Sequence, residues 1–137
     1  RSTLFPYTTL FRSASMSLDF SSFDLSNVES MEGMFSSCIG LIKVNFENLN
    51  LNKVKYMNQM FYGCDSVANI NFNNITATIL ENMAQMFYGC DSVTALDVSY
   101  IKSDKINNIT QICNRIAKSI SPPKFCGLSS ISSYLSV

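Results

Sequence analysis

The chain has 137 residues, 47% of them hydrophobic, enough for one domain with a modest core. Ten basic and ten acidic residues cancel, which argues against an electropositive nucleic-acid surface. There is no His, so imidazole metal ligands and the commonest general base are excluded. No run of eighteen apolar residues occurs, so no segment is expected to span a membrane.

Residues 1–13, RSTLFPYTTLFRS, show neither a helical nor a strand period. They match, codon for codon, the in-frame translation of a common sequencing-library adapter. They are read as non-native and set aside from the fold. Removing Arg1 and Arg12 leaves eight basic residues against ten acidic. The chain does not begin with Met, so the lack of a signal peptide carries no information on localisation.

From residue 14 a different pattern begins. MFYGC occurs at 60–64 and at 86–90, and MFSSC stands 26 residues earlier at 34–38. In this register whole columns align. Leu18, Val44, Ile70 and Leu96 form one, and Phe20, Phe46, Phe72 and Val98 another. Further columns are Phe23, Leu49, Ile75, Ile101; Val28, Val54, Leu80, Ile106; and Met31, Met57, Met83, Ile109. Met34, Met60, Met86 and Ile112 follow, then Phe35, Phe61, Phe87 and Cys113, then Cys38, Cys64, Cys90 and Ile116. Self-similarity at a period of this length is the signature of stacked repeats.

Within each repeat the first element alternates apolar and polar, as in Val44-Asn45-Phe46. That predicts a short strand with one buried face. A polar stretch follows, such as Asp24-Leu25-Ser26-Asn27, before Val28 or its equivalent turns inward. The period then changes: Met57, Met60, Phe61 and Cys64 stand at i, i+3, i+4 and i+7, the spacing of one helix face. Gly63 and Gly89 occupy the position expected of a left-handed helix cap, with Ser37 there in the first repeat. The predicted fold is therefore an α/β repeat, a short leucine-rich-repeat-like solenoid of 26-residue coils. Each coil holds one short parallel strand and one short helix, with three good coils and one degenerate coil over 14–116.

The run LDFSSFDLSNVESMEGMFSSC at 18–38 resembles the BspA-type leucine-rich repeat, a family also described as a domain of unknown function in mycoplasma surface proteins. Leu18, Asp19, Ser21, Phe23, Asp24, Ser26, Asn27, Val28, Met31, Met34, Phe35 and Cys38 match its pattern. The second and third repeats keep the Met, Met-Phe and Cys positions, and the fourth keeps only apolar character. The resemblance covers about 18–112. It implies a secreted or surface-anchored protein that adheres to host proteins or other cells. It brings no catalytic residues.

Three cysteines one coil apart carry near-parallel side chains, which does not suit a disulfide. Without His or a CxxC motif they do not read as a zinc site, and they are taken as small buried hydrophobes. No cofactor and no metal are expected. The outward strand columns are Ser17, Lys43, Asn69, Ala95; Asp19, Asn45, Asn71, Asp97; and Ser21, Glu47, Asn73, Ser99. Lys43, Asn45, Glu47, Asn69, Asn71 and Asn73 are the candidate partner-binding residues at their centre, with solvated scaffold as the competing reading. Tyr62 and Tyr88 share a column beside the buried Phe and form a second candidate patch, since Tyr is favoured at interfaces. The expected function is a non-enzymatic surface binding or adhesion module for a protein or cell-surface ligand, next to further repeats of a longer chain. A structural spacer displaying another domain, or an intracellular interaction repeat, are the alternatives. Residues 117–137, with Pro122-Pro123 and a Ser-rich stretch, break the register. They read as an atypical cap, a linker or a frame-shifted tail.

Overall fold

A computed structural model describes residues 14–116. The readings of 1–13 and of 117–137, and the position of Cys126, lie outside the described residues. Four strands follow in chain order: β1 (Met16–Asp19), β2 (Leu41–Asn45), β3 (Asn69–Asn71) and β4 (Ala95–Leu96). They form one parallel sheet in the order β1-β2-β3-β4. Ser17 pairs with Lys43, Lys43 with Asn69, and Asn69 with Ala95, so the sheet is built in the 26-residue register read from the sequence. The strands form because alternate side chains have a core to enter: Val44 and Ile70 are buried while Lys43 and Asn69 are exposed. Single parallel bridges extend the stacking to the far side, through Ser30, Tyr56, Asn82 and Asn108, and through Asn50 and Thr76.

The expected helix in each repeat is absent among the described residues, which overturns the α/β architecture. The segment with helical spacing is a run of tight turns. Met34, Ser36 and Cys38 donate their N–H groups three residues back, to Met31, Gly33 and Phe35. The alternate N–H groups point to the next repeat instead: Met31 to Tyr56 O, Gly33 to Asn58 O, Phe35 to Met60 O and Ser37 to Tyr62 O, at 2.7–3.0 Å. An α-helix would satisfy these donors within its own segment and leave none to join neighbours. The turns are made by two left-handed residues four apart: Gly33 and Ser37, Gln59 and Gly63, Gln85 and Gly89, Gln111 and Arg115. Gly63 and Gly89 thus have the positive φ expected of them, but within a turn run and not at a helix end. Four-residue turns also bring positions i, i+3, i+4 and i+7 to one side, so the apolar pattern did not distinguish the two backbones.

The core is a set of continuous ladders. Phe20, Phe46 and Phe72 stack with centroids 5.2 and 5.5 Å apart and planes 7° from parallel. Phe35, Phe61 and Phe87 form a second stack at 5.4 and 5.9 Å. Edges of the second stack meet faces of the first, as between Phe61 and Phe72 at 76°, a favoured aromatic geometry. Two buried columns were not noticed in the sequence: Leu41, Val67, Val93, and Leu25, Leu51, Ala77, Ser103. Ser103 ends its column as a buried hydroxyl and makes a 2.7 Å hydrogen bond to Leu80 O. Phe23 departs from its column. It is 55% exposed while Leu49, Ile75 and Ile101 are buried, and its ring leans on Phe20 at 5.4 Å.

Candidate functional site

The parallel register places Lys43, Asn45, Glu47, Asn69, Asn71 and Asn73 on one polar face, but they do not share one role. Asn45 donates from Nδ2 to Asp19 Oδ1 at 3.0 Å, and Asn71 donates to Asn45 Oδ1 at 2.9 Å. The same oxygens accept the N–H two residues on: Ser21 for Asp19, Glu47 for Asn45, Asn73 for Asn71 and Ser99 for Asp97. Each amide therefore closes the turn after its strand and ties its repeat to the preceding one. Asn45 and Asn71 are half-buried, and the amide groups a ligand would need are engaged within the stack. Asp19, at the start of the ladder, has only to accept; the N–H of Ser21 and the Asn45 amide hold its carboxyl below the usual range. Lys43, Asn69 and Asn73 are exposed, and Glu47 is half-buried beside them.

Tyr62 and Tyr88 stack face to face at 4.9 Å and 6°, and both are half-buried. A parallel ladder runs beside them: Gln59 donates to Gln85 at 2.8 Å and Gln85 to Gln111 at 2.7 Å. Sequence reasoning did not single out these glutamines, although their 26-residue spacing was visible. A polar groove lined by Asn27, Glu29, Ser30, Glu32, Lys55 and Tyr56 was also missed, because its residues come from columns of mixed type. Tyr56 is 40% exposed there.

Cys38, Cys64 and Cys90 are buried free thiols. Cys64 donates to Phe35 O at 3.0 Å, and Cys90 to Phe61 O at 3.2 Å. Burial pushes the Cys64 thiol far up and that of Cys90 up to about 12. Cys113, half-buried, is raised to about 12 for the same reason. An uncharged thiol is neither a nucleophile nor a metal ligand. Among the described residues, no group of three or more His, Cys, Asp or Glu side chains is placed to hold a metal ion, and no helix is long and apolar enough to cross a membrane.

No curated protein and no solved structure matches the chain. One family does, over residues 5–122. The chain therefore belongs to the family described as Mycoplasma protein of unknown function, DUF285.

Proposed function

We propose that the chain is a non-enzymatic binding module of a secreted or surface-anchored protein, a repeat of the BspA leucine-rich type that meets a protein ligand through its sheet face. The observation that carries this reading is the exposed pair Lys43 and Asn69 on the parallel sheet, with exposed Asn73 in the turn that follows β3. Parallel pairing spaces such side chains by about 4.8 Å on a continuous surface. This face is suited to hydrogen bonding and charge pairing, with Asn45 and Asn71 as the support beneath it. A surface of this kind, without a buried aromatic anchor, gives modest affinity. Neighbouring repeats would extend the same face.

The test replaces Lys43 by Glu and Asn73 by Arg together, leaving the Asn ladder and the buried columns intact. Folding is expected to survive, and adsorption to immobilised extracellular-matrix protein is expected to fall. Unchanged adsorption removes the sheet face as the contact. If Tyr62→Ser and Tyr88→Ser then abolish adsorption, the contact moves to the tyrosine pair. A second reading, a spacer that displays another domain, is favoured by the engagement of the Asn45 and Asn71 amides inside the stack. A parent chain that adsorbs to nothing selects it.

A further inference from the structure

Tyr56 differs from the stacked pair of tyrosines. Tyr62 and Tyr88 cover each other at 4.9 Å, whereas no ring among the described residues covers Tyr56. Parallel bridges set it between Ser30 of the first repeat and Asn82 of the third, at spacings of about 4.8 Å. Both neighbours are shorter, so the ring stands out of its ladder, 40% exposed, in the wall of the polar groove. The groove has a volume of about 740 Å³, within the range of small-ligand sites, about 300–1,000 Å³.

Side-chain groups in the groove are free while its backbone groups are engaged. Asn58 is half-buried and its amide has no partner among the described residues. Lys55 forms no ion pair with Glu29 or Glu32, although all three line the groove. Asn27 and Asn82 accept through Oδ1, from Lys53 Nζ at 2.7 Å and from the Ala84 N–H at 2.9 Å, which leaves their Nδ2 groups as donors. By contrast, the Lys55 and Glu81 N–H groups donate to Glu29 O and Lys55 O, and the Met31 and Met57 N–H groups to Tyr56 O and Asn82 O. A peptide strand that docks by backbone pairing meets groups already in use, so a ligand here is read by side chains.

Charge and polarity narrow its class. Two carboxylates against one ammonium disfavour an anion, and Lys55 disfavours a polycation. One ring among amides and carboxylates offers little to an apolar molecule. A neutral ligand with many hydroxyls and one apolar face fits all three conditions, and a pyranose is such a ligand. Its C–H bonds are weakly positive and meet the negative face of a tyrosine ring. Its hydroxyls donate to carboxylate oxygens and accept from amide and ammonium N–H groups.

We propose that the groove binds a neutral oligosaccharide, one pyranose stacked on Tyr56 beside Ser30 with its hydroxyls held by Asn58, Glu32 and Lys55. Most of the lining comes from the first and second repeats, and Ser30, the shortest side chain of the ladder, leaves room on that side of the ring. None of the lining residues belongs to the sheet, so this does not rest on the sheet-face reading above.

Saturation-transfer NMR of the full 137-residue chain with cellotetraose, maltotetraose and lacto-N-neotetraose tests this. Transfer to at least one saccharide is expected, strongest on one C–H face of a pyranose. Tyr56→Ala is expected to weaken binding roughly tenfold, as loss of a stacked ring does. Tyr56→Phe keeps the ring and is expected to stay within about threefold of the parent. Ser30→Tyr leaves Tyr56 in place but sets a second ring against it, as Tyr88 is set against Tyr62, and is expected to abolish transfer without lowering the thermal midpoint. If Tyr56→Ala unfolds by circular dichroism, Ser30→Tyr decides in its place. The Lys43→Glu/Asn73→Arg chain is expected to bind the saccharide as the parent does. No transfer to any of the three saccharides, or undiminished transfer in folded Tyr56→Ala or Ser30→Tyr, would overturn the proposal. So would transfer confined to a peptide carrying Lys and Asp, which would assign the groove to a protein segment.

Discussion

Phe61 has a stacked ring on each side and is fully buried. Phe61→Ala removes contacts that no smaller side chain replaces, at a cost of roughly 3–5 kcal/mol. Domains of this size have only about 5–15 kcal/mol in total, so the variant is expected to melt far below the parent by circular dichroism. A melting curve like the parent's would remove Phe61 from the core. The cysteines act through the opposite of reactivity. Burial raises the folded thiol of Cys90 to about 12 and pushes Cys64 up further, while an unfolded thiol ionises near 8.5. Above that pH the unfolded chain releases protons the native state keeps, so stability present at neutral pH is lost as pH rises toward 12. The thermal midpoint is expected to fall across this window, and less steeply in Cys64→Ala/Cys90→Ala. Equal slopes in the two proteins would show that other groups govern the alkaline transition.

At the scale of the element, the strand and the turn run were not equally legible. Val44-Asn45-Phe46 alternates in a way only an extended backbone satisfies with one core. Met57, Met60, Phe61 and Cys64 suit a helix and a run of four-residue turns alike, and Gln59, left-handed at φ 57°, is not a residue whose type announces that conformation. The Asn column also had two readings, ligand contact or scaffold, and the hydrogen bonds favour scaffold. The ladder makes an asymmetric prediction. Asn71 must donate to Asn45 and accept from Asn73, so Asn71→Asp loses the donor and sets two acceptors against each other. The expected loss is roughly 1–3 kcal/mol, the cost of an unmet polar group. Asp19 only accepts, so Asp19→Asn is expected to stay within about 0.5 kcal/mol of the parent, as surface changes usually do. Urea melts of the two variants compare them directly, and equal losses would mean that the ladder has no direction.

For the whole molecule, the repeat is the unit of cohesion. Each repeat contacts its neighbours through the same columns, and stability in such stacks is approximately a sum over repeats and interfaces. Deleting residues 66–91, one full period, lets the fourth repeat pair with the second in the unchanged register. A lower thermal midpoint with a single cooperative transition is expected. Deleting 66–90 instead shifts the following repeat by one residue, turning strand side chains to the wrong face, and no cooperative transition is expected. Similar melting of the two deletions would show that the register is not what holds the stack. The hydrogen bonds from each turn run to the next, as from Met31, Gly33, Phe35 and Ser37 to the second repeat, share one direction and belong to this scale too. No single repeat reveals them, because a direction exists only once repeats are stacked.

The period, the parallel pairing, most of the inward columns and the likeness to a mycoplasma family of unknown function were determined by the sequence alone. Burial is imposed on every repeat at the same positions, and identity at a fixed spacing survives however the chain turns between them. What only the tertiary structure decided is the backbone between the strands and the use of its polar groups. Whether Gly33 N–H or Phe35 N–H closes a local helix or reaches Asn58 and Met60 in the next repeat depends on a neighbour that lies 25 residues away in sequence. That the Asn45 amide reaches Asp19 is decided the same way. Side-chain hydrophobicity is a property of one residue, but a hydrogen bond needs two groups in place, and their placement exists only in the folded stack.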